Sequence, residues 1–344
     1  MADVQFDFEQ KFTKKKLEQF SQILQDMSTT IGFKVSSRGW CYLMEQAGYI
    51  NKDQFSKVDH AINKCRKEGY LPVDFVAEED ARAFVGVETP NIFTEKSEMK
   101  DVLAWMLRDV LDGHKYYTPD WWEGEEYYIQ MLVEKIDLKT LFEGVCREYH
   151  IPVANAKGWS SILQRAEYAR RFKEAEDRGL KCVLLYCGDH DPDGLRISDT
   201  IMANLYQVQE IHWQDGEKGY DPSNLTIKRF GLNYDFIIKN QYTWIDNLIT
   251  GSGMNLASNA HKNNKLPYVQ NYLKKIGARK CEANAIVTTP DKAKRLVRDE
   301  IESWIGVGAK NRFAEKRKEV KNEYQDLLEE TGLIVPINKV LDNE

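Results

Sequence analysis

Residues 184–199 read LLYCGDHDPDGLRISD, and this stretch decides how the rest of the chain is interpreted. Its apolar run ends on three alternating aspartates, Asp189, Asp191 and Asp193, among which a proline and a glycine favour a turn. Like charges at such short range repel one another and raise each other's pKa unless a cation lies among them. The pattern therefore predicts a metal site at the end of a buried strand.

The apolar run is the last of three predicted strands, and a helical pattern follows each of them. We expect strands at 127–134, 151–154 and 181–187, and helices from Leu138 to Tyr149, at 160–178 with Ser160 as its cap, and at 195–208. The centre of the third strand is entirely apolar, which is typical of a strand covered on both faces. This alternation predicts an α/β fold with a parallel, Rossmann-like sheet and right-handed crossovers.

Carboxylates follow two of the predicted strands. Glu134 ends the first strand, and the alternating aspartates follow the third. Ligands of open parallel sheets bind beyond the carboxyl ends of the strands, so these side chains converge if the two strands are neighbours. An all-oxygen set of ligands selects a hard cation, and we expect Mg²⁺ to be held by Glu134, Asp189, Asp191 and Asp193.

Two other interpretations of the acidic stretch stay open at this point. Asp189 to Gly194 matches the first half of an EF-hand loop, but the twelfth position is Thr200 instead of a bidentate glutamate, and a strand precedes the loop. A solvated acidic turn without a ligand is the other interpretation. The presence of Glu134 at the end of another strand favours the metal site over both.

Length and composition describe a chain with room for two domains. It has 344 residues, of which 42% are hydrophobic and 30% are charged. The first residues lack the apolar segment of a signal peptide, and no apolar run is long enough to cross a bilayer, so we expect a cytoplasmic protein without membrane association. Six scattered cysteines without a C-x-x-C motif indicate reduced thiols.

The net charge of −6 is unevenly distributed along the chain. Residues 74–137 contain 16 acidic and 6 basic residues, whereas residues 292–321 contain 10 basic and 5 acidic ones. An acidic chain is not typical of nucleic-acid binding, but a local basic face is enough to follow phosphates. The basic run is equally consistent with a solvated helix face.

Short helical patterns dominate the first part of the chain. Leu17, Phe20 and Leu24 fall on one helical stripe, Ser36 or Ser37 is a candidate cap of a second helix, and Asp53 opens a third. The stretch GYLPVDFV then favours a short extended wing. Three helices and a wing are typical of a winged helix-turn-helix DNA reader, although any small helical domain fits the pattern.

Glycine, proline and charged residues cluster at 112–126 and predict a hinge. We therefore divide the chain into a helical, winged-helix DNA-binding domain at 1–115, a linker at 116–126, and the α/β domain with a C-terminal extension at 127–344. The overall class expected is α/β, or α+β when the helical domain is included.

The order of these motifs resembles a known family. A strand that ends in Val133-Glu134-Lys135, then a strand followed by D-x-D-P-x-G-x-x-I from Asp189 to Ile197, is similar to a Toprim domain. The closer likeness is to the A subunit of topoisomerase VI and its meiotic, Spo-eleven-type relatives, in which a winged-helix domain precedes the Toprim domain. Weaker likenesses lie at 228–237, which resembles an R-x-G-L segment, and at 279–286, which resembles an E-x-x-A strand.

In that family the nucleophilic tyrosine lies four residues after an arginine, near the start of a winged-helix helix. Arg38 and Tyr42 match this spacing, and so do Arg66 and Tyr70. Because Tyr42 opens a helix whereas Tyr70 follows the Gly69 stop, the resemblance indicates Tyr42 as nucleophile and Arg38 as a phosphate clamp. Without the resemblance, the residues favour a core tyrosine at position 42.

The resemblance implies Mg²⁺-dependent cleavage of double-stranded DNA by transesterification, with Tyr42 linked to a DNA 5′ end and Glu134 as general acid or base. It also implies a C₂ homodimer and a separate, B-type ATPase subunit, because the chain has no G-x-x-x-x-G-K-[ST] motif of its own. The nearest relatives expected are stand-alone, virus- or plasmid-encoded proteins called Mini-A, which would be nucleoid-associated.

Two further functions remain open. A hydrolytic Toprim nuclease would use the same metal site with water as the nucleophile, and a winged-helix DNA-binding protein with a vestigial metal site would perform no chemistry. In each case the third predicted helix is the expected DNA face, through Lys57, Lys64, Arg66 and Lys67, with the basic run at 292–321 as the alternative.

Overall fold

The computed structural model describes residues 12–77, 96–156, 161–249 and 253–342. The strands in these ranges are β1 (Tyr127–Val133), β2 (Val153–Asn155), β3 (Lys181–Cys187) and β4 (Thr226–Arg229). The helices are α1 (Lys14–Ile31), α2 (Ser37–Gln46), α3 (Phe55–Lys67), α4 (Lys96–Leu111), α5 (Ile136–Glu148), α6 (Ile162–Asp177), α7 (Ile197–Tyr206), α8 (Tyr234–Asn240), α9 (Pro267–Lys275), α10 (Pro290–Ile305), α11 (Ala309–Thr331) and α12 (Ile334–Leu341).

The four strands form one all-parallel sheet in the order β2-β1-β3-β4. The mixed α/β class and the parallel sheet that the sequence predicts are confirmed. The strands at 127–134 and 181–187 lie where they were predicted, and the short strand β2 begins two residues later than expected. β4 was not predicted, because Thr226–Arg229 is only four residues long and half-exposed, without the apolar run of an inner strand.

Helices cover the sheet as the apolar periodicity predicts. The predicted stripe of α5 is buried, with Leu138, Phe142 and Val145 at most 2% exposed. Helix α6 is capped by Ser161, whose hydroxyl accepts from the Gln164 N–H. The predicted cap, Ser160, lies outside the described residues. All six cysteines, which are within the described ranges, are buried and unpaired in the structure.

The N-terminal helices α1, α2 and α3 pack on one another through the predicted apolar stripe and its partners. Ser36 is the N-cap of α2: its hydroxyl accepts from the Gly39 N–H and donates to the buried carboxylate of Asp137 in α5. The predicted wing is reduced to a single parallel bridge between Val35 and Val76, so the extended hairpin of a winged helix is not seen in residues 69–77.

The chain forms two compact units, Met1–Glu78 with Glu125–Trp304, and Glu79–Gly124 with Ile305–Glu344. This grouping differs from the predicted domains at 1–115 and 127–344. The reason is that α2 packs on the 3₁₀ turn Ala283–Thr288, which joins the first helices to the sheet. In the second unit Trp121 packs on Phe313, with ring centroids 4.7 Å apart.

None of the helices in the described ranges is both long enough and apolar enough to cross a bilayer.

Candidate active site

The carboxyl ends of β1 and β3 bring Glu134 and Asp189 into contact. Val133 pairs with Cys187 across the two strands, and the Glu134 N–H donates to the Cys187 carbonyl at 2.9 Å. The Asp189 N–H then donates to Oε2 of Glu134 at 2.7 Å. The predicted adjacency of these strands is confirmed, and two of the four predicted metal ligands meet because of it.

Lys135 bridges the two carboxylates. Its Nζ lies 2.9 Å from Oε1 of Glu134 and 3.0 Å from Oδ2 of Asp189. Asp189 is only 8% exposed, and its other oxygen accepts from the Ala283 N–H at 2.6 Å. A positively charged group therefore lies between the half-buried Glu134 and the buried Asp189, at the position where the sequence predicts a cation.

All four predicted ligands line one cavity of about 550 Å³ beyond this edge of the sheet. Asp191 is fixed by the Gly194 N–H, which donates to its Oδ1 at 2.6 Å. Asp193 is exposed and accepts a hydrogen bond from the Tyr268 hydroxyl at 2.8 Å. The remaining lining residues are Leu132, Ala156, Tyr186, Gly194, Arg196, Ile197, Asp199, Thr200, Ile201 and Tyr268.

Charge crowding sets the protonation behaviour of this cluster. Burial, together with the nearby Glu134 carboxylate, raises the pKa of Asp189 to about 6. Burial also acts to raise the pKa of Glu134, but the Lys135 ammonium and the Asp189 N–H outweigh it and lower that pKa. For Asp191, burial is the largest cause of a raised pKa. An additional cation would relieve the remaining repulsion among these acids.

The donor set fits Mg²⁺. Within the described residues, no three His, Cys, Asp or Glu side chains are close enough to enclose an ion by themselves. Mg²⁺ does not require such a cage, because it keeps several waters and is commonly held by one or two carboxylates together with substrate phosphates. Glu134, Asp189 and Asp191 are the carboxylates available for this, and the Lys135 ammonium already lies between the first two.

Backbone contacts hold the acidic loop in place. The Arg229 guanidinium, at the end of β4, donates to the carbonyls of Gly188 at 3.2 Å and Asp189 at 3.0 Å. His190 is buried, and its Nδ1 lies 2.6 Å from the Leu232 carbonyl. Burial lowers the pKa of His190 to about 4, so this histidine is neutral at pH 7 and anchors the loop instead of titrating.

The segment that resembles an E-x-x-A strand has a different structure. Only Lys280 and Cys281 form isolated antiparallel bridges, with Ile245 and His190 respectively, and a 3₁₀ turn follows at Ala283–Thr288. The predicted strand is therefore wrong. This segment nonetheless contributes to the site, because the N–H of Ala283 donates to Oδ1 of Asp189.

Tyr42 lies in a separate, small pocket of the same compact unit. It is the sixth residue of α2 and only 6% exposed, and its hydroxyl has no hydrogen-bond partner among the described residues. Glu45 and Glu282 line this pocket, and burial raises the pKa of each. Within the described ranges, this pocket and the carboxylate cavity share no lining residue.

Two cations lie over the Tyr42 ring. The Arg38 guanidinium carbon and Lys52 Nζ are each 5.6 Å from the ring centroid. Arg38 is exposed, one helical turn before Tyr42, as the spacing predicts. The Phe55 ring packs edge-on against the Tyr42 ring, with ring centroids 5.0 Å apart. Tyr42 is thus buried like a core residue, and two positively charged side chains lie beside its ring.

The four basic residues proposed to contact DNA lie on α3, but they are not equivalent. Lys57 and Lys67 are exposed, whereas Lys64 is half-exposed and 3.7 Å from Glu68. The Arg66 guanidinium donates to the Val73 carbonyl at 2.7 Å and therefore also fixes the loop after α3. The alternative basic run at 292–321 lies on α10 and the first half of α11.

Sequence reasoning missed four residues that shape these sites. Lys135 was visible as the residue after Glu134, and Arg229 as the first residue of an R-x-G-L segment, but nothing in the sequence placed either one against Asp189. Tyr268 carries no local signal, because its partner Asp193 lies 75 positions away, and Lys52 carries none because only the turn after α2 brings it back to Tyr42.

The close approach of Gly188 to the site gives a test of its geometry. A Cβ on Gly188 would lie 2.6 Å from Oε2 of Glu134 and 2.4 Å from the Tyr186 hydroxyl. We expect Gly188→Ala to lower the free energy of unfolding by about 1–3 kcal/mol, because the buried cluster has to shift. Gly144→Ala, on the exposed face of α5 with open space around it, should instead stabilise by about 0.5–1 kcal/mol. Equal values in urea denaturation would contradict the packed geometry.

Magnesium binding is measurable without catalysis. An ion that binds only the folded chain stabilises it by about 2.7 kcal/mol at 100 times its Kd, so MgCl₂ should raise the Tm of the wild type. Asp191→Asn keeps the acceptor for the Gly194 N–H but removes the charge, and it should abolish the rise. Asp199→Asn is the matched control, because Asp199 lines the same cavity and pairs with Arg196. A Tm rise in Asp191→Asn equal to that of the wild type would refute the assigned ligand.

Comparison with known proteins leaves this geometry as the basis for the functional argument. No family model, curated protein or solved structure matches the chain.

Proposed function

We propose that this protein cleaves DNA strands by Mg²⁺-dependent transesterification through Tyr42, in the manner of the topoisomerase VI A subunit. The observation that carries the proposal is the meeting of Glu134 and Asp189 at the ends of two parallel strands, with a cation, Lys135, between them. The 550 Å³ cavity in front of these acids is large enough for a phosphodiester and its neighbouring sugar atoms.

In this reaction the phosphoryl group passes from the DNA 3′ oxygen to the phenol oxygen of Tyr42, so that one phosphorus–oxygen bond replaces another. The Tyr42 O–H bond breaks and its proton passes to the Glu45 carboxylate, which lies on the same helix and lines the same pocket, while the phenol oxygen bonds to the phosphorus. The bond from phosphorus to the 3′ oxygen breaks, and that oxygen takes a proton from solvent water in the carboxylate cavity. Mg²⁺ held by Asp189 and Asp191 supplies charge stabilisation for the phosphate when it is bound.

Basic groups near Tyr42 support phosphate binding. The exposed guanidinium of Arg38, 5.6 Å from the Tyr42 ring, suits a non-bridging phosphate oxygen. Lys57 and Lys67 add exposed positive charge on α3, the helix that packs against α2. Because the chain as a whole is acidic, binding through these groups has to be local and strongly salt-dependent.

Cleavage of both DNA strands requires two copies of the chain, and we include a homodimer in the proposal. The buried Tyr42 hydroxyl has to leave its pocket before it reaches a phosphate. The contact between α2 and the turn Ala283–Thr288 is the one that covers it, and DNA or a separate ATPase subunit would supply the energy to open that contact.

A hydrolytic nuclease is the second candidate function, and the burial of Tyr42 favours it. The carboxylate cavity is accessible in the present arrangement, whereas the phenol is not. Water activated by the same metal site would then attack the phosphorus directly, and Tyr42 would only pack against Phe55.

Tyr42→Phe separates the two candidates. The substitution removes one oxygen and almost no volume, and the hydroxyl has no partner to lose among the described residues, so folding should be unchanged. Transesterification predicts that the variant forms neither strand breaks nor a covalent protein–DNA adduct on supercoiled plasmid with Mg²⁺. The measurement is gel electrophoresis after an SDS quench, with and without proteinase K.

Tyr70→Phe is the matched control, because Tyr70 also follows an arginine by four residues and should retain full activity. Cutting by Tyr42→Phe at the wild-type rate, with ends that do not depend on proteinase K, would establish the hydrolytic nuclease instead.

A further inference from the structure

Lys52 is held beside Tyr42 by its own stretch of chain. It begins the 3₁₀ turn Lys52–Gln54 between α2 and α3, and this turn is closed by a reciprocal cap in which the Asn51 N–H donates to the Gln54 side chain at 2.8 Å. The Lys52 ammonium is half-buried, 5.6 Å from the centroid of the Tyr42 ring. Lys52 therefore lies only ten residues after Tyr42, in the turn between α2 and α3.

Charged groups from three elements face Lys52. Glu45 and Arg38 lie on α2, Lys280 and Glu282 lie before the turn Ala283–Thr288, and Asp189 follows β3. Of these, Glu282 makes the ion pair, at 3.5 Å, and shares it with Lys280 at 3.4 Å. Burial lowers the pKa of Lys52 to about 8, with Lys280 and Arg38 acting in the same direction and Glu45 opposing them.

We propose that Lys52 is a positioning residue for Tyr42: the Lys52 ammonium favours the phenolate form of this nucleophile. In the resting chain Glu282 restrains the ammonium through their ion pair. This inference rests on the proposed function. Lys52 stays with Tyr42 when α2 separates from the turn Ala283–Thr288, whereas Glu282 stays behind. Opening of that contact thus exposes the phenol and frees the cation beside it in one movement.

The chemistry needs such a group. A phenol with a pKa near 10 is mostly protonated at pH 7 and is a poor nucleophile. A positive charge within about 4–6 Å favours the ionised form by about one pKa unit or more, which is a ten-fold gain in phenolate. Arg38 supplies one such charge, but as the exposed phosphate clamp it is partly neutralised by DNA, which leaves Lys52 as the cation dedicated to the phenol.

Two substitutions test the proposal on the wild-type background. Lys52→Met keeps the length of the side chain and removes the charge, and Lys52→Arg keeps the charge. In Lys52→Met, the pH profile for formation of the covalent adduct should shift upward by about one unit, with about ten-fold less adduct at pH 7. Lys52→Arg should restore the rate at pH 7.

The alkaline side of the profile provides a readout that a merely structural role would not move. In the wild type the activating charge is lost once the Lys52 ammonium deprotonates, so the rate should stop rising at that pH. In Lys52→Arg the guanidinium stays charged, and the rate should continue to rise toward pH 10. Titration of Tyr42 by NMR of ¹³C-labelled tyrosine, assigned with Tyr42→Phe, gives the same comparison without DNA.

Each outcome decides one question. An upward shift in Lys52→Met that Lys52→Arg reverses supports the proposal. Unchanged pH profiles and an unchanged Tyr42 titration in Lys52→Met would overturn the role of Lys52 and leave the proposed function standing. Adduct formation by Tyr42→Phe would overturn the proposed function, and the inference with it.

Discussion

The structure depends on the placement of two carboxylates, Glu134 and Asp189, at the ends of adjacent parallel strands. The two side chains are close, since the Asp189 N–H donates to the Glu134 carboxylate, and their negative charges repel each other. Burial of Asp189 adds to the cost of its charge. The Lys135 ammonium between them offsets this repulsion, and the Ala283 N–H satisfies the remaining oxygen of Asp189. A site that is so strongly acidic has a physical reason to take up a divalent cation.

Several other features follow from that constraint. The chain leaves β3 through Gly188, where a side chain would collide with Glu134, and turns back at Gly194, where a Cβ would lie 2.3 Å from the Asp189 carbonyl. Arg229 holds the carbonyls of the same loop. The segment that ends in Ala283 joins this cluster to the pocket of Tyr42, because Glu282, its neighbour, lines that pocket. The acidic site and the phenol are therefore connected through two consecutive residues.

The sequence predicted the sheet and the acids well because both depend on local patterns. The apolar runs of β1 and β3 identify inner strands, and parallel strands place their carboxyl ends at one edge, so Glu134 and the aspartates were expected together. The packing of the N-terminal helices against the rest of the chain was not predicted, since the contact of α2 with the turn Ala283–Thr288 joins residues more than 200 positions apart. For the same reason the sequence indicated Tyr42 and Arg38 by spacing but gave no sign that the hydroxyl is buried.

The central claim is that Tyr42 becomes covalently attached to DNA, and mass spectrometry tests it most directly. The protein is incubated with plasmid DNA and Mg²⁺, quenched in SDS, digested with nuclease and trypsin, and the peptides are fragmented. The account predicts a nucleotide joined through its 5′ phosphate to Tyr42, in the peptide that begins after Arg38. DNA cut by the protein with free ends and no modified tyrosine, or with the nucleotide on Tyr268 in the carboxylate cavity, would contradict it.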